Sequence, residues 1–321
     1  MNILLVTNMF PDAARPANGI FVAEQMQAVS EAHPDVHFDV CYVEGENKGR
    51  AEYLRSILQV DRCIRRGHYD LVHVHYGLSG LFLLSPFRQR RVPVIVTFHG
   101  SDIQTAGGNG RLAVRLSQEV ARRAMACITL NPAMDAMVRR FNPHTFIVPC
   151  GVDLDSFRAA PHACPKEKAR IVFPSHRDMK VKDYPLFAET LELLSLKHGI
   201  HCEAHELKGL TRPQVARLFQ QADLLLMTSR SEGSPQAVKE ALACQLPVVS
   251  TSVGDVPHLL EGVARCFVSH ARSAEELARL AAKSLSGQGT GITGREKIKQ
   301  LRLDAHSVAN RIYEIYEQSL H

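Results

Sequence analysis

The sequence predicts an α/β protein of two doubly wound, Rossmann-like parallel-sheet domains facing a central cleft. Three observations carry that reading. The chain has 321 residues, more than one domain usually takes and enough for two of about 150. Short β-branched apolar runs alternate with segments of helix length, and near-continuous apolar strands are what a parallel sheet covered on both faces requires. The alternation stops in a polar, turn-rich connector and then restarts.

In the first half the strands are "NILLVTNMF", "HFDVCYV", "DLVHVHY", "VPVIVTFHG", "ACITLN" and "TFIVPCG", with helices expected at "FVAEQMQAVSEA" and "AEYLRSILQVDRCIRR". The connector "GVDLDSFRAAPHACPKEK" closes an N-terminal domain expected over residues 1–155. A second domain, expected over 156–294, is built from the strands "RIVFPS", "DLLLMTS", "PVVST" and "RCFVS" and the helices "YPLFAETLELLSLKHG" and "AVKEALAC". The glycine-rich "SGQGTGITG" reads as a flexible joint. A last helix, from about Arg295 to Ser319, is partly apolar and so is expected to pack back across the interdomain region. No internal repeat of solenoid period is present.

An apolar fraction of 45% and a charged fraction of 22% are those of ordinary soluble globular protein. The first residues lack the basic flank and cleavage site of a signal peptide, and no run of 18 apolar residues exists, so a cytoplasmic protein is expected. The eight cysteines are scattered with no CxxC pair, the pattern of reduced, buried thiols. Net charge is only +5, but Arg88, Arg90, Arg91, Arg111, Arg115, Arg122 and Arg123 meet only Asp102 and Glu119 in residues 88–123. That excess reads either as a solvated face or as a contact with anionic lipid or an anionic acceptor. No aromatic-plus-basic surface argues for nucleic acid.

Ligands of open parallel sheets sit beyond the carboxyl ends of the strands, and the candidate residues fall there. In "RSEGSPQAVKEALACQLPVV", Glu232 lies in a loop and Glu240 inside the following helix. Ser234 suits the N-cap and Pro235 the first helical position, so the helix amides point back at Glu232 and Gly233 and can receive an anion or an oxygen-rich ligand. At 1.5 Å per residue the two carboxylates are about 12 Å apart or less, the length from sugar to ribose in a sugar nucleotide. The plainer reading is a solvated helix glutamate and a capping one. In "PSHRDMKVKDYPLF", Arg177 and Lys182 follow the first strand of the second domain; fixed cations there would stabilise the charge of a diphosphate leaving group, or be surface ion pairs. Gly19 opens the first helix and permits close backbone approach to a phosphate, or makes an ordinary turn. His99 ends an apolar strand, where a neutral histidine donates a hydrogen bond without adding charge. His73 and His75 share a strand face; a metal pair lacks a third ligand at suitable spacing, His75 could line an acceptor, and a structural role for both is the stronger reading.

"SRSEGSPQAVKEALACQLPVVST" resembles the E-x7-E signature of retaining glycosyltransferases of family 4, which have the two-domain GT-B fold, and the resemblance runs over nearly the whole chain. It implies that Glu232 contacts hydroxyls of the transferred sugar, that Gly233 and Ser234 supply backbone amides, and that Glu240 holds the ribose. By the same resemblance Arg177 and Lys182 clamp the diphosphate, Gly19 belongs to the first glycine loop, and His99 lies by the reacting centre. "VPCGVDLDSF" is similar to the family's interdomain segment, so Gly151, Val152 and Asp153 read as a hinge. The chain also departs from the pattern. His176 precedes Arg177 and Asp183 follows Lys182 where the family usually has glycines. The stretch from "KHGIHCEAHEL" to "TRPQVARLFQQAD" is short by a strand and a loop, and His258 stands where a glutamate is common.

The resemblance thus implies transfer of a sugar from a nucleotide diphosphate sugar, UDP-sugar favoured, to an acceptor hydroxyl with retention. The catalytic set is His99, Arg177, Lys182 and Glu232, with no metal and no separate cofactor. "NMFPDAARPANGIFVAEQ" looks like bacterial transferases of cell-surface polysaccharide assembly, which favours a glycan or lipid-linked acceptor and peripheral contact with the inner face of the membrane. The alternatives are a GT-B nucleotide-sugar 2-epimerase and a non-catalytic sugar-nucleotide-binding partner; the intact candidate residues argue against the latter.

Overall fold

A strand buried on both faces reads as a continuous apolar run, and the inner strands of this chain are of that kind. The computed structural model describes all residues except 14, 16, 17, 46–48, 50, 87–91, 104–109, 160–166 and 321. The chain divides into two units, Met1–Gly151 with Ala305–His321, and Val152–Asp304.

The first unit holds β1 (Asn2–Thr7), β2 (His37–Tyr42), β3 (Leu71–His75), β4 (Val94–Thr97), β5 (Ala126–Thr129) and β6 (Thr145–Ile147). They form one parallel sheet in the order β2-β1-β3-β4-β5-β6. Every residue of β3, β4 and β5 is buried. Around the sheet lie α1 (Ile20–Ala32), α2 (Ala51–Arg66), a 3-10 segment (Gly77–Leu84), α3 (Arg111–Arg123) and α4 (Pro132–Val138). α2 buries Tyr53, Ser56, Val60 and Ile64, the i, i+3, i+4 stripe of a helix on a sheet.

The second unit holds β7 (Ala169–Phe173), β8 (Cys202–Glu206), β9 (Leu224–Met227), β10 (Val248–Thr251) and β11 (Phe267–Ser269), parallel and in the order β11-β10-β9-β7-β8. Its helices are α5 (Tyr184–His198), α6 (Arg212–Gln221), α7 (Gln236–Ala243), α8 (Val256–Leu260), α9 (Ala274–Leu285) and α10 (Gly294–Gln300). The stretch expected to be short of a strand contains β8. "CEAHE" shows no apolar run because β8 is an edge strand, partly exposed along its length.

The C-terminal part differs from expectation in three ways, each with a local cause. The single helix expected from Arg295 is two, α10 and α11 (Ala305–Leu320), broken by a turn in which Arg302 takes φ 52°. α10 stays with the second unit, where Gly294 lies so close to α7 that an added Cβ would come 2.6 Å from the Leu242 carbonyl oxygen. α11 belongs to the first unit and buries Val308, Ile312 and Ile315 among Ile3, Val29, Val36 and Leu71, each side chain worth roughly 1.5–3 kcal/mol. Nor is "SGQGTGITG" a free joint: Ile292 forms a bridge with Val263, donating to Gly262 O at 3.0 Å and accepting from Ala264 N at 2.9 Å. The chain passes between units at Gly151–Val152, four residues before the expected boundary, and again at Asp304–Ala305. Val152 N donates to Leu303 O at 2.9 Å beside that second crossing.

The described cysteines are all free, and Cys41, Cys127, Cys150, Cys244 and Cys266 are buried; Cys164 lies outside the described residues. Among the described residues no helix is long and apolar enough to cross a membrane.

Candidate active site

In the second unit the chain leaves β7 for β8 on one side and returns to β9 on the other. The loops beyond β7 and β9 therefore open a crevice at the point where strand order reverses. The first of these loops carries Arg177 and Lys182, the second Glu232. Lys182 Nζ donates to Glu232 Oε1 at 2.6 Å, and Ser229 Oγ donates to the same oxygen at 2.6 Å. Both ends of the ion pair are mostly buried, at 19% and 13% side-chain exposure, so it is screened far less than a surface pair. The backbone behind Lys182 is pinned as well: Thr228 Oγ1 lies 3.0 Å from the carbonyl oxygens of Lys182 and Asp183.

Arg177 is placed differently. Its Nε donates to Glu206 Oε1 at 2.7 Å, its backbone N donates to Glu206 Oε2 at 3.0 Å, and its guanidinium lies 5.0 Å from the Tyr184 ring centroid. The expected clamp of Arg177 with Lys182 is thus not assembled in this conformation, because each cation already has its own carboxylate.

α7 begins at Gln236 with Pro235 as its N-cap and no side-chain cap bond, so Ser234 is not the cap expected. After β10, burial pushes the Asp255 carboxyl upward. Gly254 explains why this loop packs so closely: it takes φ +55°, and an added Cβ would lie 2.4 Å from Gly233 O. Glu240 is buried inside α7, where its Oε1 accepts from Arg212 Nη2 at 2.6 Å; that guanidinium lies 4.6 Å from the Phe157 ring centroid. His258 is on α8, exposed, 3.9 Å from Glu261.

In the first unit, β1 and β3 flank the corresponding reversal. Gly19 caps α1 at φ 59°, and an added Cβ would come 2.3 Å from the Met9 carbonyl carbon; backbone crowding alone demands glycine there. His99, beyond β4, lies Nε2 to Nδ1 3.1 Å from His75 and packs 5.2 Å from the Phe21 ring. Burial pushes His99 down to about 4 and His73 down to about 3, so both are neutral near pH 7. His73 Nδ1 lies 2.7 Å from Tyr316 Oη and Nε2 2.7 Å from Thr97 Oγ1. Both ring nitrogens of His73 are thus engaged within the fold.

Sequence reasoning missed Asp102. Its buried carboxylate accepts from Gly77 N at 2.9 Å and from His99 N and Gly100 N at 3.0 Å, joining the loops beyond β3 and β4. Burial raises its pKa to about 6 despite those amides. The signal was present in "HGSD", an aspartate five residues past the end of β4, where its carboxylate can close a turn on nearby amides. Gly254 and Asp255 were legible in the same way, as a Gly-Asp pair after "PVVST". Of the basic excess, Arg88, Arg90 and Arg91 lie outside the described residues, while Arg111, Arg115, Arg122 and Arg123 are exposed on α3 beside the exposed Leu112.

The family described as Glycosyltransferase Family 4 matches residues 16–156, and that described as Glycosyl transferases group 1 matches 186–301. TuaC of Bacillus subtilis, a glycosyltransferase named for teichuronic acid biosynthesis, is 21% identical over 87% of this chain and 87% of its own. Sucrose-phosphate synthase from Thermosynechococcus elongatus has a similar fold, with TM-score 0.80 and 16% identity over 99% of this chain and 98% of that one. So has HepE of Anabaena, solved with UDP and glucose, with TM-score 0.69 and 16% identity over 99% and 100%.

Proposed function

Matched by glycosyltransferase families in both of its units, the chain is a glycosyltransferase of the family 4 type with the GT-B fold, and on that premise we propose that it moves a hexose from a UDP-sugar to an acceptor hydroxyl with retention of configuration. The observation that carries the proposal is the Lys182–Glu232 pair at the strand-order reversal of the second unit. Both bonds to Glu232 fall on Oε1, which leaves Oε2 to accept from a hydroxyl of the transferred sugar. Lys182 supplies a fixed positive charge where a diphosphate would leave. Arg177, on an exposed side chain, joins it by exchanging Glu206 for phosphate oxygens. Glu240 commits Oε1 to Arg212 and offers Oε2 to the ribose. His99, neutral, donates to the sugar without adding charge.

In the reaction the acceptor oxygen attacks the anomeric carbon from the face that the diphosphate leaves. The bond from that carbon to the phosphate oxygen breaks, the bond to the acceptor oxygen forms, and the acceptor proton passes to the leaving diphosphate. Fixed cations carry the developing charge, so no resident metal is required. The UDP and glucose bound by HepE support the choice of donor, and the name of TuaC supports a glycan or lipid-linked acceptor in cell-surface polysaccharide assembly.

A thermal-shift screen against UDP-, GDP- and ADP-sugars tests the donor: at 100 times its dissociation constant the true one adds about 2.7 kcal/mol. A UDP-sugar should raise Tm most; a larger shift with another base would reject UDP. Turnover should be insensitive to EDTA, and a loss restored by magnesium or manganese would reject the metal-free chemistry.

Peripheral membrane contact is proposed on Arg111, Arg115, Arg122 and Arg123 of α3, each basic residue near an anionic surface contributing about 1 kcal/mol. Co-sedimentation with phosphatidylserine vesicles should fall steeply as salt rises. Equal binding to neutral vesicles would sink the idea.

A further inference from the structure

Lys182 reaches Glu232 across a turn that ends in a left-handed residue, and that residue is Asp183, at φ 53°. The conformation is unfavourable for a residue with a Cβ, although aspartate tolerates it better than most. Asp183 is held in it by charge. Its mostly buried Oδ2 receives Arg272 Nη2 at 2.5 Å and Arg230 Nη2 at 3.0 Å. Arg272 itself takes φ 46°, between β11 and α9. Through its other terminal nitrogen, Nη1, it donates to Ser229 O at 2.8 Å, and Ser229 is the residue whose hydroxyl holds Glu232.

One guanidinium therefore grips both the turn that presents Lys182 and the loop that presents Glu232. We infer that Arg272 is a positioning residue for the Lys182–Glu232 pair, and that its ion pair with Asp183 replaces the conformational freedom a glycine would give at 183. The planar fork of arginine reaches two separate acceptors at once, whereas the ammonium of a lysine is a single point. Arg230, on the Glu232 loop itself, also joins it to the turn, through its backbone N to Val181 O at 2.8 Å and its ion pair with Asp183, but its side chain is 65% exposed and that pair is the more screened of the two. As regards ligand binding, the inference rests on the reading of Lys182 as a diphosphate ligand.

The test uses the full chain and UDP as the calorimetric probe. Arg272→Ala should weaken UDP by about tenfold or more, the scale on which a slightly misplaced group fails, with Arg272→Lys recovering only part of the loss. Adding Asp183→Gly to Arg272→Ala should restore most of it, because glycine takes φ +53° unaided. UDP affinity unchanged in Arg272→Ala, or a double variant no better than the single one, overturns the inference. Should the alanine variant not fold, Arg272→Lys carries the test, with unchanged UDP affinity as the overturning result. Amide exchange over residues 180–184 decides the case independently of ligand. It should quicken about tenfold or more in Arg272→Ala, and unchanged exchange overturns the inference even if the wild-type protein fails to bind UDP. That failure alone would instead strike the proposed donor.

Discussion

Lys182→Ala is expected to lower turnover by about 10²-fold or more with the fold intact, the usual cost of removing one preorganised group from developing charge. Two roles predict different losses. Loss of an ion pair that only holds the loop would show in the unfolding curve, as the cost of leaving Glu232 mostly buried without its partner, and not as a selective loss of transition-state binding. A cation aimed at the leaving diphosphate acts on the transition state and lowers kcat and kcat/KM together. Steady-state kinetics beside a thermal unfolding curve distinguish these. Arg177→Ala should lose a similar factor if its guanidinium leaves Glu206 for the diphosphate. Near-normal rates in both variants would place the diphosphate elsewhere.

The second large effect separates the two glutamates. Glu240→Gln should weaken UDP and UDP-sugar alike, because both contain the ribose. Glu232→Gln should leave UDP affinity almost unchanged but depress turnover, since the only part of the donor it reaches is the transferred sugar. A hydrogen bond to a charged group is worth about 1.5–3 kcal/mol, so each change should be roughly 10- to 100-fold. Glutamine keeps an acceptor for Arg212 in one case and for Ser229 in the other, which limits damage to the fold. Calorimetry with UDP run beside kinetics reads both. If Glu232→Gln loses UDP and Glu240→Gln keeps it, the two ends of the donor are reversed. If neither variant changes anything, the two glutamates only hold the fold through their ion pairs with Lys182 and Arg212.

Most of the fold is legible because buried parallel strands announce themselves: "DLVHVHY" and "DLLLMTS" carry β3 and β9 with little ambiguity. β8 is not, since an edge strand may alternate polar residues freely, and "CEAHE" has no apolar face to betray it. The break between α10 and α11 is equally hidden, because "LRLD" contains neither glycine nor proline and the turn is made by Arg302 at positive φ. In the site, Lys182 and Glu232 are legible as charges placed just beyond strand ends. Glu206, Arg212 and Arg272 are not, because each acts through a partner 28 to 89 residues away in sequence, and a single charge on an edge strand, helix or loop has no spacing pattern. Asp183 was visible only as a departure from Lys-Gly; its backbone angle shows why glycine suits the position, and its ion pairs with Arg272 and Arg230 hold aspartate there.

The return of α11 to the first unit sets an order on how this protein is made. His33 and His73 wait for Asn310 and Tyr316, 277 and 243 residues downstream, so during synthesis Ile3 and Leu71 of the sheet and Val29 of α1 lack the cover that α11 gives them. The segment from Val152 to Asp304 is continuous and completes its own core first. Closing a loop this long adds little to the equilibrium cost, which grows only with the logarithm of length. It does delay the rewarding contacts, and delayed long-range contacts slow folding. On the ribosome, the part of the protein translated first is therefore the last to be finished.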